Sequence, residues 1–190
     1  MNYNVVPAFP SSIIQVYVEE DTSELLGNGD DTVTPQRRRI LEKYPESKKI
    51  LLNAFTSVAE KVIGYKKRDY EITTSWITYM NRGEQSLVHN HKNSFWSCVY
   101  YFQDEYPEGT GGISFVNPNI DKMDFYYSDD DINGPNNINS MSCLLTPSPN
   151  LLLIFPSYLE HQVLHHNNDN PRCSLAFNII PLGTYGLLHY

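Results

Sequence analysis

The sequence predicts a mainly β fold, and two observations carry that expectation. Beyond residue 69 the chain breaks into short runs rich in β-branched and aromatic residues, separated at roughly even spacing by Gly, Pro, Asn and Asp. Helical periodicity is confined to the N-terminal third. Together they specify a double-stranded β-helix, or jelly roll, with N-terminal helices packed on its sheet. A chain of 190 residues is long enough to bury a sizeable core, and no internal repeat or linker divides it. The expected organisation is one domain over residues 1–190, with its core at 70–181 and helical support from 1–69.

Ile13 to Val18, following Pro10, reads as an early strand at a sheet edge. Thr22 to Asp31 is polar and Gly-bearing, hence loop. Thr34-Pro35 opens a short helix through Leu41, with proline at the first helical position. From Glu46 to Val62, residues Leu51, Leu52, Phe55, Val58, Ala59 and Val62 fall at helical spacing, and Gly64 stops the helix. That apolar stripe is expected to pack on a sheet rather than bind a ligand. Tyr70 to Met80 is a long β run ended by the turn Asn81-Arg82-Gly83. Leu87 to His91 and Phe95 to Phe102 give two more strands around Lys92-Asn93. Gly109, Gly111 and Gly112 make a turn before Ile113 to Val116. Tyr127 to Ser140, crowded with Asp, Asn and Gly, is an irregular loop. Met141 to Leu145, Leu151 to Phe155 and Arg172 to Ile180 complete the strands.

A formal net charge of −8 argues against broad affinity for nucleic acid or an anionic membrane. The basic clusters Arg37-Arg38-Arg39 and Lys66-Lys67-Arg68 read as solvated surface rather than a phosphate track. Three cysteines without a C-x-x-C pair suit a reducing compartment. Cys98 and Cys173 lie in apolar runs, where a thiol packs as a small hydrophobe. No apolar run reaches the roughly 18 residues of a membrane span. The N-terminus lacks the basic and long apolar regions of a signal peptide. The expectation is a soluble, cytoplasmic protein.

Of six histidines, His89 and His91 stand two apart on an expected strand, so their side chains share a face. If that face lines the interior, both imidazoles reach one metal ion; otherwise they mark an exposed polar edge. His161 comes where the strand beginning at Leu151 is ending. Arg172 opens the core-like run Cys173-Ser174-Leu175-Ala176-Phe177 on the neighbouring strand. A guanidinium pointing inward there needs an anionic partner. A bidentate carboxylate meets that need, with Ser174 adding a hydrogen bond. Strand alternation puts Asn178 on the same face. His165 and His166 are expected to face solvent, and His189 to have no role. Asp129-Asp130-Asp131 reads as a solvated loop, because a calcium loop needs spaced ligands and a closing Glu.

Several motifs occur in order. His89-x-His91 is followed by Tyr100-Tyr101 and by Gly111-Gly112-Ile113-Ser114-Phe115. Leu152 to Ser157 then leads to His161, and Arg172-x-Ser174-x-x-Phe177-Asn178 closes the set. From Trp76 to Pro181 this order resembles the Fe(II)- and 2-oxoglutarate-dependent oxygenases, more narrowly a bacterial and phage oxygenase family related to prolyl hydroxylases. The resemblance implies His89 as first iron ligand and His161 as the distal one. It implies Arg172 and Ser174 on the far carboxylate of 2-oxoglutarate. Tyr101 resembles a tyrosine that reaches the same group, or else is a core aromatic, and Asn178 is a further pocket residue. The resemblance also implies Fe(II) and 2-oxoglutarate as cofactors, ascorbate as reductant, dioxygen, and hydroxylation of an unidentified substrate such as a protein proline.

One position departs from the pattern. Most of the superfamily carries Asp or Glu where this chain has His91, and a two-histidine, one-carboxylate site is the usual arrangement. The choices here are three imidazoles, two histidines with water, or a shifted register with His91 as first ligand. Two rival readings remain. One is a jelly-roll binding module without turnover. The other is a three-histidine dioxygenase that uses no 2-oxoglutarate, against which the Arg172-x-Ser174 pair argues.

Overall fold

The structure is a computed structural model that describes residues 11–26, 39–119, 133, 134, 136 and 139–184. Its strands are β1 (Ile14–Tyr17), β2 (Tyr70–Met80), β3 (Trp96–Tyr100), β4 (Ile113–Val116), β5 (Ser142–Leu145), β6 (Leu151–Pro156), β7 (His161–Val163) and β8 (Arg172–Pro181). They form two antiparallel sheets, one ordered β1-β6-β3-β8-β2 and the other β5-β4-β7. The mainly β jelly-roll class read from the sequence is the fold observed.

Helical support comes from one α-helix among the described residues, α1 (Pro45–Val58), with short 3-10 turns at Ser23–Leu25 and Ile40–Lys43. Proline starts α1, where its missing N–H costs nothing. The expected stripe through Val62 stops early, because Ala59–Ile63 widens into a π turn. The extra residue in that turn rotates Val62 out of the stripe and leaves it 64% exposed. Gly64, at φ +84°, then ends the helix in a left-handed conformation that glycine adopts without strain.

The five-stranded sheet separates two apolar cores, and strict alternation decides which residue enters which. Tyr100, Leu152, Ile154, Leu175, Phe177 and Ile179 turn toward Leu51 and Phe55 of α1. Val99, Tyr101, Leu151, Leu153 and Phe155 turn the other way, toward Ile113 and Phe115 of β4. Strands buried on both faces read as continuous apolar runs, which is how Leu151 to Phe155 appears in the sequence. Each such side chain contributes about 1.5–3 kcal/mol by leaving water. The inner face of this sheet also carries buried polar residues, Ser97, Arg172, Ser174 and Asn178.

Two expectations are corrected. Leu87 to His91 is not a strand: its pairing is one isolated bridge, His89 with His161, and Leu87 is 84% exposed. His161 does not close the Leu151 strand. That strand ends at Pro156, a turn through Leu159 carries the chain to the opposite sheet, and His161 opens β7. His161 and Arg172 therefore belong to different sheets. Cys98 and Cys173 are buried free thiols, as expected of them, and Cys143 is exposed. The readings at Thr34-Pro35, Arg37-Arg38, Asp129–Asp131 and His189 lie outside the described residues. No helix among the described residues is long and apolar enough to cross a membrane.

Candidate active site

His89, His91 and His161 come together at one end of the space between the sheets. His89 and His161 form a reciprocal backbone pair, each N–H donating to the other's carbonyl at 2.9 Å. In such a pair the two side chains project to the same side. His91, two residues on, projects with His89, and its N–H bonds the Ser157 carbonyl at 2.9 Å. Ring centroids are 4.5 Å apart for His89 and His161, 5.1 Å for His91 and His161, and 5.4 Å for His89 and His91. One nitrogen from each ring lies within 4.8 Å of the others, near enough to share one ion.

Each ring is oriented through Nδ1. In His89 it donates to the Leu87 carbonyl at 2.8 Å, and in His161 to the Leu159 carbonyl at 2.9 Å. The His91 Nδ1 lies 2.7 Å from Asn178 Oδ1 and 2.8 Å from Ser97 Oγ. Asn178 is itself held, with Nδ2 donating to Thr74 Oγ1 and Oδ1 accepting from Ser97 Oγ, both at 2.9 Å. An amide or peptide oxygen only accepts, so Nδ1 carries the proton in each ring and the lone pair sits on Nε2. Fixing the tautomer through the second nitrogen is how ligating histidines are normally prepared. Burial pushes the His161 pKa down to about 4, with the neighbouring His89 and His91 acting the same way against the bond to Leu159. That ring is neutral at pH 7, the form that binds metal.

A second polar group occupies the same inner face. Arg172 is 1% exposed. Its Nε donates to the Gly111 carbonyl at 2.9 Å and Nη1 to Ser174 Oγ at 2.9 Å, with Nη2 3.4 Å from Tyr101 Oη. The guanidinium stands 5.3 Å from the centre of the Tyr101 ring. No carboxylate among the described residues pairs with it. Burying a cation without an anion costs several kcal/mol, and hydrogen bonds to neutral groups offset only part of that. Burial raises the Tyr101 pKa, with Arg172 partly offsetting it, so the phenol keeps its proton and can donate.

The structure also shows residues that the sequence reading passed over. His166 was expected in solvent but is fully buried, its Nδ1 accepting from the Gly111 N–H at 3.2 Å and its Nε2 2.9 Å from the Asn170 carbonyl. Gly111 thus connects His166, through its N–H, to Arg172, through its carbonyl. A Cβ at Gly111 would collide with the Leu164 carbonyl oxygen. Gly111→Ala is therefore expected to lower stability by about 1–3 kcal/mol, the cost of overpacking a closed site, read as an earlier urea midpoint at unchanged m-value. Ser97 supports His91, and its signal was present: it shares strand parity with Tyr101. His165 is exposed, as expected.

The fold is a jelly roll whose interior carries a candidate three-imidazole metal centre and a buried arginine. A family model described as "Putative 2OG-Fe(II) oxygenase" matches residues 74–178, more than half of the chain, and the chain belongs to that family. No curated protein sequence matches it. Among solved structures, the epimerase SnoN in complex with Fe3+, alpha ketoglutarate and nogalamycin RO is 11% identical at a TM-score of 0.62, over 90% of this chain and 79% of that one. HygX from Streptomyces hygroscopicus, with nickel, 2-oxoglutarate and hygromycin B bound, is 10% identical at a TM-score of 0.55, over 90% and 83%. An oxidoreductase of the 2OG-Fe(II) oxygenase family from Burkholderia pseudomallei is 14% identical at a TM-score of 0.48, over 71% of this chain. The chain spans 58% of the length of that last protein. At these identities the likeness is one of fold.

Proposed function

We propose that the chain is an Fe(II)- and 2-oxoglutarate-dependent oxygenase. In this reading His89, His91 and His161 hold the ferrous ion through Nε2, and Arg172 grips the far carboxylate of 2-oxoglutarate with Ser174 and Tyr101. The observation that carries it is a buried guanidinium with no carboxylate partner among the described residues, on the inner face that also holds the support for His91. When bound, the iron and 2-oxoglutarate would let dioxygen act as the oxidant, one oxygen atom entering a substrate C–H bond and the other entering succinate, with carbon dioxide released.

The residues provide the setting. Three neutral imidazoles leave the metal's double charge uncompensated, which favours a dianionic cosubstrate. Along β8 the inner face runs Asn178, Ala176, Ser174, Arg172, so the support for His91 and the guanidinium stand on one strand face. Phe115 and Phe155 pack on the His161 ring at 5.8 and 4.9 Å and keep water from its buried side. The exposed His89 marks the side from which substrate enters. Following the likeness to prolyl hydroxylases, the substrate we favour is a protein side chain such as proline.

The direct test is succinate formation from 2-oxoglutarate with Fe(II), ascorbate and dioxygen, alone and with peptides, nucleotides or small metabolites. We expect slow turnover alone and stimulation by the true substrate class. No succinate, together with no metal-dependent binding of 2-oxoglutarate, would leave the fold as a binding module. Asn178 acts in this reading by holding His91 rather than by touching the cosubstrate. Asn178→Ala is expected to weaken metal binding by about 10- to 100-fold while the affinity of the metal-loaded protein for 2-oxoglutarate changes little. Anaerobic Fe(II) titration followed by cosubstrate titration separates the two.

A further inference from the structure

A cavity of about 350 Å³ lies on the opposite, helix-facing side of the five-stranded sheet, lined by Tyr65, Lys66, Arg68, Tyr70, Phe95 and Trp96. That size is at the lower end of what small-molecule sites use. Trp96 and Ser97 are consecutive on β3, so one strand turns Ser97 toward His91 and Trp96 toward this cavity. The walls are aromatic. Tyr65 stands edge-on to Trp96 at 6.4 Å, Phe55 backs Trp96 at 6.3 Å and Tyr70 at 5.0 Å. Lys66 and Arg68 bring positive charge from the segment joining α1 to β2, and no acid among the described residues lines the space. Glu60, whose field also reaches the Tyr70 hydroxyl, is not among the lining residues.

Tyr70 supplies an independent pointer to a ligand. It is 6% exposed, and its buried hydroxyl has no hydrogen-bond partner among the described residues. A buried donor left unsatisfied is costly, and few are kept without a use. We propose that this cavity is a second binding site, for a planar aromatic ring carrying a phosphate or carboxylate. The ring lies among Tyr65, Phe95 and Trp96, the anionic group faces Lys66 and Arg68, and Tyr70 donates to the ligand. The site is physically separate from the histidine cluster and does not depend on the oxygenase reading. The Lys66-Lys67-Arg68 run, which in sequence reads as plain solvated surface, gains a specific purpose.

The test uses the full chain, with tryptophan fluorescence and calorimetry. Adenosine 5′-monophosphate and indole-3-acetate serve as aromatic anions, adenosine and indole as rings without the anion, and inorganic phosphate and acetate as anions without the ring. We expect saturable binding of at least one aromatic anion, at least about tenfold tighter than either of its halves. The tighter of the two names the anionic group. Tyr70→Phe should weaken that binding about three- to tenfold without lowering the melting temperature, since it removes a hydroxyl that has no partner among the described residues. Phe95→Ala, at an exposed position, should weaken it about five- to a hundredfold, the span of ring stacking. Arg172→Ala should leave it unchanged, which separates this cavity from the cosubstrate clamp. Failure of both aromatic anions to saturate overturns the proposal. So does equal binding by the ringless anions, or an affinity that Tyr70→Phe and Phe95→Ala both leave untouched.

Discussion

His161→Ala is expected to abolish stoichiometric Fe(II) binding and, with it, succinate formation. His161 is the best-prepared of the three rings: it is buried, neutral, and held by Phe115, Phe155 and the Leu159 carbonyl. It also lies between the other two, 4.5 Å from His89 and 5.1 Å from His91, which are 5.4 Å apart. Removing it leaves two imidazoles, one exposed and one half-buried, which cannot enclose an ion. The loss in metal affinity should exceed the roughly hundredfold ceiling seen when only a supporting hydrogen bond is removed. The backbone pairing of His161 with His89 does not involve the side chain, so the sheet contact survives and the variant should remain folded by circular dichroism. Anaerobic titration with Fe(II) reads the effect. Wild-type affinity in this variant would remove His161 from the metal site and leave the three-histidine arrangement without its centre.

Much of this architecture was legible because it depends on parity. Tyr70 to Met80 appears as a strand with the bounds read from sequence, since β-branched and aromatic residues dominate it between a charged loop and a glycine turn. Arg172, Ser174 and Asn178 were assigned one face by alternation, and all three are buried. The failures occurred where the answer depends on which sheet a segment joins. Pro156 interrupts an apolar run, but nothing local says that the following turn hands His161 to the other sheet. His89 and His91 were grouped correctly although the segment is no strand, because an extended chain alternates with or without a ladder. His166 looked like solvent-facing hairpin because its partner, the Gly111 peptide, lies 55 residues away in sequence. Val62 fits helical spacing, and only the π turn that contains it takes it out of register.

Arg172→Ala is expected to separate cosubstrate binding from stability. In the native chain the guanidinium is buried on hydrogen bonds to Gly111 and Ser174 and a weak contact with Tyr101, none of which neutralises its charge. Its burial is therefore a standing cost, and deleting it relieves that cost while leaving the Gly111 carbonyl unsatisfied. The two effects oppose, so the unfolding free energy without cosubstrate should stay within about 2 kcal/mol of wild type. Cosubstrate affinity has no such compensation. Loss of a buried, charge-assisted contact costs roughly 2–5 kcal/mol, about 30-fold to several thousandfold in the dissociation constant of 2-oxoglutarate. Fe(II) affinity should be unchanged, because none of the three imidazoles touches Arg172. Arg172→Lys keeps the charge but not the planar fork that matches a carboxylate, so it should recover only part of the affinity. Calorimetry of 2-oxoglutarate with the anaerobic iron-loaded protein decides the matter. An unchanged dissociation constant in Arg172→Ala would mean that the buried cation serves packing alone, and that the diacid is held elsewhere or not at all.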